Sequence, residues 1–310
     1  MDAAEEKIVS LLKKVKSEGI LQSEIAEKLR ISKSTVSEIL SKLEEEKEVV
    51  RSQVSSKSYR VWLSEFAPFP IDGLMRVGIL KASEYPKVVF AAKKLDAIVK
   101  VYENALELTR DLAAGTVDVA ASPLITQVYF GALMKNIKIY RLVAMNGSGV
   151  VFSNKESEWY GCSEFSTMEF NLRNYLKKKG YSLKIRYFRS PEIMIESLRE
   201  LKGIAVWEPY LTLLSEFESE KFRDVLGDFV CCSLAANSFF ITKNYDFFDP
   251  FLKEFDRCKV GRDEALMISK LIGFDPEIVY RSFESYEFDV PQEVPRLDVL
   301  GRIDEVFCFK

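Results

Sequence analysis

Residues 203–210 read GIAVWEPY, a short apolar strand, Gly203 to Val206, that runs into Trp207, Glu208, Pro209 and Tyr210. Two aromatic rings can wall a small molecule, and the carboxylate between them can accept a hydrogen bond or meet a cation. Other predicted strands end in residues of similar kind. Lys81, Ser83, Glu84 and Tyr85 follow the first, Glu103 and Asn104 the second, and Ser122 and Pro123 the third. Asn146, Gly147 and Ser148 follow a later one, where a glycine turn lets backbone N–H groups face a ligand. In α/β domains ligands sit at the carboxyl ends of strands, so these loops are expected to line one pocket. Each polar residue singly also reads as a solvated loop residue, and Trp207 also reads as a core or hinge anchor.

The residue types limit the chemistry. The 310 residues include no histidine, which removes the commonest general base and metal ligand. Ser-His-Asp and Cys-His catalysis and His-dependent zinc sites are therefore excluded. The five cysteines are scattered apart from Cys231-Cys232, and no CxxC pair occurs, so neither a disulfide framework nor a metal site is expected. Glu84, Glu103, Glu208 and Lys81 remain as the available catalytic groups, which keeps an enzyme open as the alternative to a binding protein. No cofactor and no catalytic residue is expected.

With 47% hydrophobic residues the chain can bury sizeable cores, and its length suggests two or three domains. The net charge of −3 carries no global nucleic-acid signal. Abundant Lys and Glu with few Gln point toward a thermophile. The acidic N-terminus lacks the apolar core of a signal peptide, and no apolar run approaches the roughly 20 residues of a membrane span. A cytoplasmic protein without membrane contact is the expectation.

The elements that must position these groups fall into two parts. In residues 1–66, helices are predicted from about Ala3 to Lys16, Gln22 to Leu29 and Lys33 to Glu46. Their inward faces are Ile8, Leu11, Leu12 and Val15, then Ile25, Ala26 and Leu29, then Val36, Ile39, Leu40 and Leu43. Ser32 suits the cap of the third helix, and EVVRSQV with KSYRVWL forms a hairpin across SSK. The run SEIAEKLRISKSTVSEILSKLEEEKEVVRS resembles the winged helix-turn-helix domain of MarR-like regulators. That resemblance implies DNA as partner. Lys33, Lys42, Arg51, Lys57 and Arg60 would supply a basic face. Ser34, Thr35 and Ser37 on the third helix, with Gln22 and Ser23 on the second and Ser56 on the wing, would add polar contacts. Ser32 stays open between helix cap and base contact. Such domains bind two-fold sites, so a homodimer is expected.

Residues 67–74, with prolines and a glycine, read as a linker. Beyond them strands and helices alternate, which predicts a parallel α/β sheet. RVGIL, LELTRDLAAGTVDVAASP, YRLVAMNGSGVVFSN and LRELKGIAVWEPYL together resemble the type II periplasmic-binding-protein fold, in the branch that takes sulfonates, nitrate and thiamine-pyrimidine precursors. The resemblance implies two lobes, about 75–150 with 236–310, and about 151–235, around a ligand cleft. It also implies an anion site at the helix start Ser166 and Thr167. EWYGCSEFST departs from the usual opening strand of the second lobe, and the cysteine-rich motif and histidine of the related pyrimidine synthases are missing. The expected whole is multidomain, an α+β winged helix followed by a two-lobed α/β domain that senses a small planar or anionic effector. An enzyme of that fold, pyrimidine- or menaquinone-pathway type, carrying a DNA-binding head is the alternative.

Overall fold

The computed structural model describes residues 3–56, 58–297 and 304–309. The first part folds as α1 (Ala3–Val15), β1 (Ile20–Leu21), α2 (Gln22–Leu29), α3 (Lys33–Glu45), β2 (Val49–Ser55) and β3 (Ser58–Leu63). Ile8 and Leu12, one helical turn apart, meet Ile25, Val36, Leu40 and Leu43 in a core sealed by Val61. The strands form an antiparallel sheet in the order β1-β3-β2. Gly19 must be glycine. It stands at φ +60, and a Cβ there would lie 2.4 Å from the Trp62 ring.

The linker is held, not loose. Arg76 is buried and ion-paired with buried Asp118 at 2.8 Å. Its remaining donors reach the carbonyls of Ala67, Phe69 and Gly115. Trp62 of the wing packs edge-on against Phe69, and Lys47 donates to the Gly73 carbonyl. Gly73 N–H in turn donates to the Asn244 side chain.

The rest of the chain forms two sheets. The first lobe contains β4 (Arg76–Leu80), α4 (Pro86–Lys94), β5 (Ile98–Tyr102), α5 (Ala105–Ala114), β6 (Val119–Pro123), α6 (Leu124–Met134) and β7 (Ile137–Asn146). The chain crosses at Gly147 into β8 (Ser148–Phe152), β9 (Trp159–Cys162), α7 (Thr167–Lys179), β10 (Lys184–Tyr187) and α8 (Pro191–Glu196). The second lobe continues with β11 (Gly203–Trp207), α9 (Tyr210–Leu213), β12 (Ser219–Lys221) and α10 (Phe222–Leu226). It returns through β13 (Val230–Asn237) to α11 (Ser238–Arg257), α12 (Arg262–Ile272), α13 (Pro276–Ser282) and β14 (Tyr286–Glu287). Strand order is β14-β7-β13-β6-β4-β5 in the first lobe and β10-β9-β11-β8-β12 in the second.

Two expectations change. β13 pairs with β6 and β7, so the second lobe spans about 148–229 and the return crossing precedes residue 236. The apolar run of β13 suits either sheet, which is why its sequence did not place it. Asn237 ends that strand and caps α11, accepting from Phe239 N at 2.9 Å, so the residues after it are helical. WYGC is a strand, β9, parallel to both β10 and β11. At the first crossing Gly147 sits at φ +73, where a Cβ would strike the Tyr286 ring at 1.8 Å. Among the described residues no helix is long and apolar enough to cross a membrane.

Candidate functional site

On the winged helix, the start of α3 is exposed. Ser32 Oγ accepts from Thr35 N at 3.1 Å and lies 2.8 Å from both Ser34 Oγ and Thr35 Oγ1. Ser32 therefore caps the helix, and the three hydroxyls pre-order one another. Gln22, Ser23, Lys33, Ser37, Arg51, Ser58 and Tyr59 line one concavity between α2, α3 and the wing. The predicted cations are mostly engaged. Lys42 reaches away to Glu5 of α1 at 2.8 Å, where Glu5 is only 4% exposed. Arg51 binds Glu44 and Ser41, and Arg60 donates to the Glu18 carbonyl at 2.9 Å. Ser56 stands exposed in the wing turn, and Lys57 lies outside the described residues. Of the five cations, Lys33 is the one among the described residues without a bonded partner. Residues 1–66 hold 12 Lys and Arg against 12 Asp and Glu, so attraction to a polyanion must come from this local face.

The cleft between the lobes narrows to an enclosed cavity of about 30 Å³, room for about two waters. Leu80, Glu84, Glu103, Pro123 and Cys231 of the first lobe face Ser166, Met168, Phe188, Met194 and Trp207 of the second. It opens outward into a vestibule of about 410 Å³ bordered by Asn104, Glu107, Ser163, Glu164, Tyr187 and Arg189. Glu84 is 3% exposed, and its Oε2 accepts from the Cys231 thiol at 3.1 Å. Burial raises this carboxyl above its usual range. Trp207, 8% exposed, stands edge-on to Tyr210. Its ring thus lines the cavity and packs against Tyr210 at once.

Five of the predicted ligand residues, Glu84, Glu103, Pro123, Ser166 and Trp207, reach the cavity. Others close the lobes on each other instead. Lys81 Nζ crosses to Glu192 Oε1 at 2.8 Å, an oxygen that also accepts from Tyr210 OH of its own lobe at 2.6 Å. Trp207 Nε1 donates to the Lys81 carbonyl at 3.3 Å, Ser83 N to the Glu208 carbonyl at 3.1 Å, and Thr167 Oγ1 to the Cys231 carbonyl at 2.8 Å. The remaining predicted residues turn into the protein. Tyr85 is fully buried. Ser83 accepts from Ser282, and Ser122 meets Thr109. Asn146 holds Asp228 at the crossing, and Ser148 Oγ is buried without a partner. Glu208 accepts from Thr212 N and Ser285 Oγ, at 2.9 and 2.8 Å. A strand-end rule names positions, but the alternation of side chains sends every second one away from the cleft.

At the expected anion site both side chains have partners within the protein. Ser166 Oγ accepts from Glu169 N and donates to the Ser163 carbonyl, while Thr167 is engaged across the cleft. Sequence reasoning missed Ser163, Phe188, Arg189, Ser190, Met194 and Cys231. The run RYFRSP carried a usable signal, a strand end followed by a Ser cap and a Pro at the first helical position. Among the described residues no group of His, Cys, Asp or Glu is placed to hold a metal.

Residues 1–47 match the family described as winged helix-turn-helix DNA-binding. No curated protein matches the chain. Among solved structures, it is similar to the ligand-binding component of an ABC-type import system from Staphylococcus aureus, with zinc bound. The TM-score is 0.61 at 16% identity, over 69% of this chain and 84% of that one. The periplasmic nitrate-binding protein of Synechocystis gives 0.60 at 14%, over 73% and 74%. The alkanesulfonate-binding protein of Xanthomonas axonopodis, bound to MOPS, gives 0.56 at 14%, over 71% and 88%. At such identity the likeness is one of fold. The chain joins a winged helix-turn-helix domain to a two-lobed α/β domain of the type II periplasmic-binding-protein fold.

Proposed function

We propose that this protein is a ligand-responsive DNA-binding regulator, in which a small molecule held between the lobes changes the affinity of the winged helix for DNA. The observation that carries the reading is the clamp at Arg76. β4 begins there and ends at Leu80 in the cavity. α5 ends at Gly115, whose carbonyl Arg76 holds, and begins beside Asn104 and Ala105 in the cavity. β6 begins after Asp118, the ion-pair partner, and ends at Pro123 in the cavity. Three elements thus run from the linker to the cleft. A ligand that contacts both lobes favours the closed form, and it changes DNA affinity only if the two forms bind DNA differently. A coupling of about 1–3 kcal/mol is typical.

The winged helix supports binding as a homodimer to a two-fold site. Binding without turnover is favoured over catalysis because Lys81 and Glu208, two of the four candidate catalytic groups, are engaged in holding the fold. A DNA-binding head supports a cytoplasmic place. The Lys- and Glu-rich composition supports a heat-adapted protein.

The test starts from native mass spectrometry of the purified chain, which reads both the subunit number and any retained small molecule. A duplex selected from a random pool is then titrated by fluorescence anisotropy with and without that molecule. An unchanged duplex affinity on ligand addition refutes the coupled reading. A monomer on the duplex refutes the dimer. Release of a chemically altered molecule turns the case toward the enzyme.

A further inference from the structure

The polar groups of the cleft carry an unexpected sign. Three helices start at its walls, and each start is closed by its own side chain. Asn104 Oδ1 accepts from Glu107 N, Ser166 Oγ from Glu169 N, and Ser190 Oγ from Ile193 N. Each first turn also holds a glutamate, Glu107, Glu169 or Glu192, which offsets the positive end of the helix dipole. One first-turn donor of each helix is therefore occupied.

The charges lean the same way. Glu84 and Glu103 line the cavity, and Glu107 and Glu164 line the vestibule. Against them stands Arg189, exposed at the rim, since Lys81 is paired with Glu192. Glu84 is almost fully buried, yet among the described residues the groups beside it are the thiols of Cys231 and Cys232 and the phenols of Tyr85 and Tyr286, and no cation. Buried carboxylates are rarely left without one. Trp207, Met168 and Met194 line the same cavity as Glu84. Aromatic faces and polarizable groups of this kind favour an organic cation over a hydrated one.

We propose that the cleft takes a small organic cation whose protonated amine or amidine head reaches Glu84 in the cavity beside Trp207, and whose apolar or aromatic body occupies the vestibule. This rests on the reading of the cleft as a ligand site and adds the class of ligand. A cation arriving at Glu84 holds the carboxyl ionised against its burial, and the exposed Glu103 at the edge of the cavity draws the cation inward. A nitrate or sulfonate would meet four carboxylates against the one guanidinium of Arg189.

Benzamidinium and benzoate test the sign, because they share one shape and carry opposite charge. Each is titrated into the full chain to about 10 mM, read by tryptophan fluorescence and thermal melting. Benzamidinium is expected to bind and raise the melting temperature, and benzoate is not. Glu84→Gln should weaken benzamidinium about tenfold or more, as expected for loss of a charged hydrogen-bond partner. Glu103→Gln, at an exposed position that cannot disturb folding, should weaken it less. Benzoate binding as tightly as benzamidinium overturns the cation class while leaving the cleft a ligand site. Silence toward both probes overturns the cation class as well, and the retained-molecule measurement then decides the ligand reading separately. Unchanged affinity in both glutamine variants also overturns the proposal.

Discussion

The same local device appears at the front of α3 and at the front of α7, with opposite consequences. Ser32 caps one helix and Ser166 the other, each accepting from the N–H three residues on. Around Ser32 nothing covers the helix start, so Lys33, Ser34 and the wing face outward. Around Ser166 the facing lobe closes, and Thr167 is consumed by the Cys231 carbonyl. A capping serine therefore says where a helix begins and nothing about whether its neighbours are available to a partner. Availability depends on what the rest of the chain lays over them. The two faces follow from this: an open, hydroxyl-rich one where, of the predicted cations among the described residues, Lys33 is unpaired, and a closed one lined mainly by carboxylates.

The largest effect should come from the clamp between the two regions. Arg76→Ala leaves Asp118 buried without its partner and releases three linker and loop carbonyls. A loss of about 3–5 kcal/mol is expected in denaturant unfolding. Arg76→Met with Asp118→Leu should recover much of it, because the desolvated charges are then removed together. If both variants unfold like wild type, the linker is not held as described.

Trp207→Ala comes next, at about 3 kcal/mol, the low end for a buried aromatic because one ring face already meets a cavity. Ligand response should vanish while ligand-free DNA affinity stays near wild type. Loss of DNA binding at temperatures where the mutant is folded would make Trp207 a structural anchor alone.

Lys33→Ala and Lys42→Ala separate the two sides of α3. The first should lower duplex affinity and reduce the salt slope by about one. The second should leave the slope alone and lower stability slightly, because Lys42 faces α1 and not the open concavity. Equal slopes for the two variants would erase the distinction.

The smallest expected effect is the interlobe pair. Burial pushes the Glu192 carboxyl up, but hydrogen bonds from Lys81 and Tyr210 outweigh it and hold Glu192 below the usual range. A carboxylate held low in the closed form supports closure above its ordinary value and loses that support as pH falls through the depressed one. Glu84 and Glu208, raised by burial, act in the opposite sense, gaining protons more readily in the closed form. Glu192→Gln should thus remove only the acid-sensitive part of lobe closure, about 0.2–1 kcal/mol. Hydrogen exchange at the lobe interface between about pH 3 and 7 reads it. An acid response identical to wild type would exclude Glu192 as its source.

Much of the fold was legible. Spacing placed the winged-helix core at Ile8, Leu12, Ile25, Val36, Leu40 and Leu43, because a helix returns to the same face every three or four residues. The alternation of strands and helices announced two α/β lobes. At the cleft the reading placed Glu103, Pro123 and Trp207, at strand ends, on what is the cavity lining. It failed at Tyr85 and Glu208, whose neighbours in the chain gave no sign of the α13–β14 segment that meets Ser83 and covers Glu208.

By itself the sequence determined the local events: where helices are capped, which faces are apolar, and that no histidine chemistry is available. These depend on residues a few positions apart, whose relation is fixed by backbone geometry. Only the tertiary structure decided the sign of the cleft, the burial of Glu84 against Cys231, and the clamp of Arg76 on the linker. Glu84 and Cys231 are 147 residues apart in the chain. Charge and desolvation act through distance in space, and distance between such residues exists only once both lobes have folded and closed.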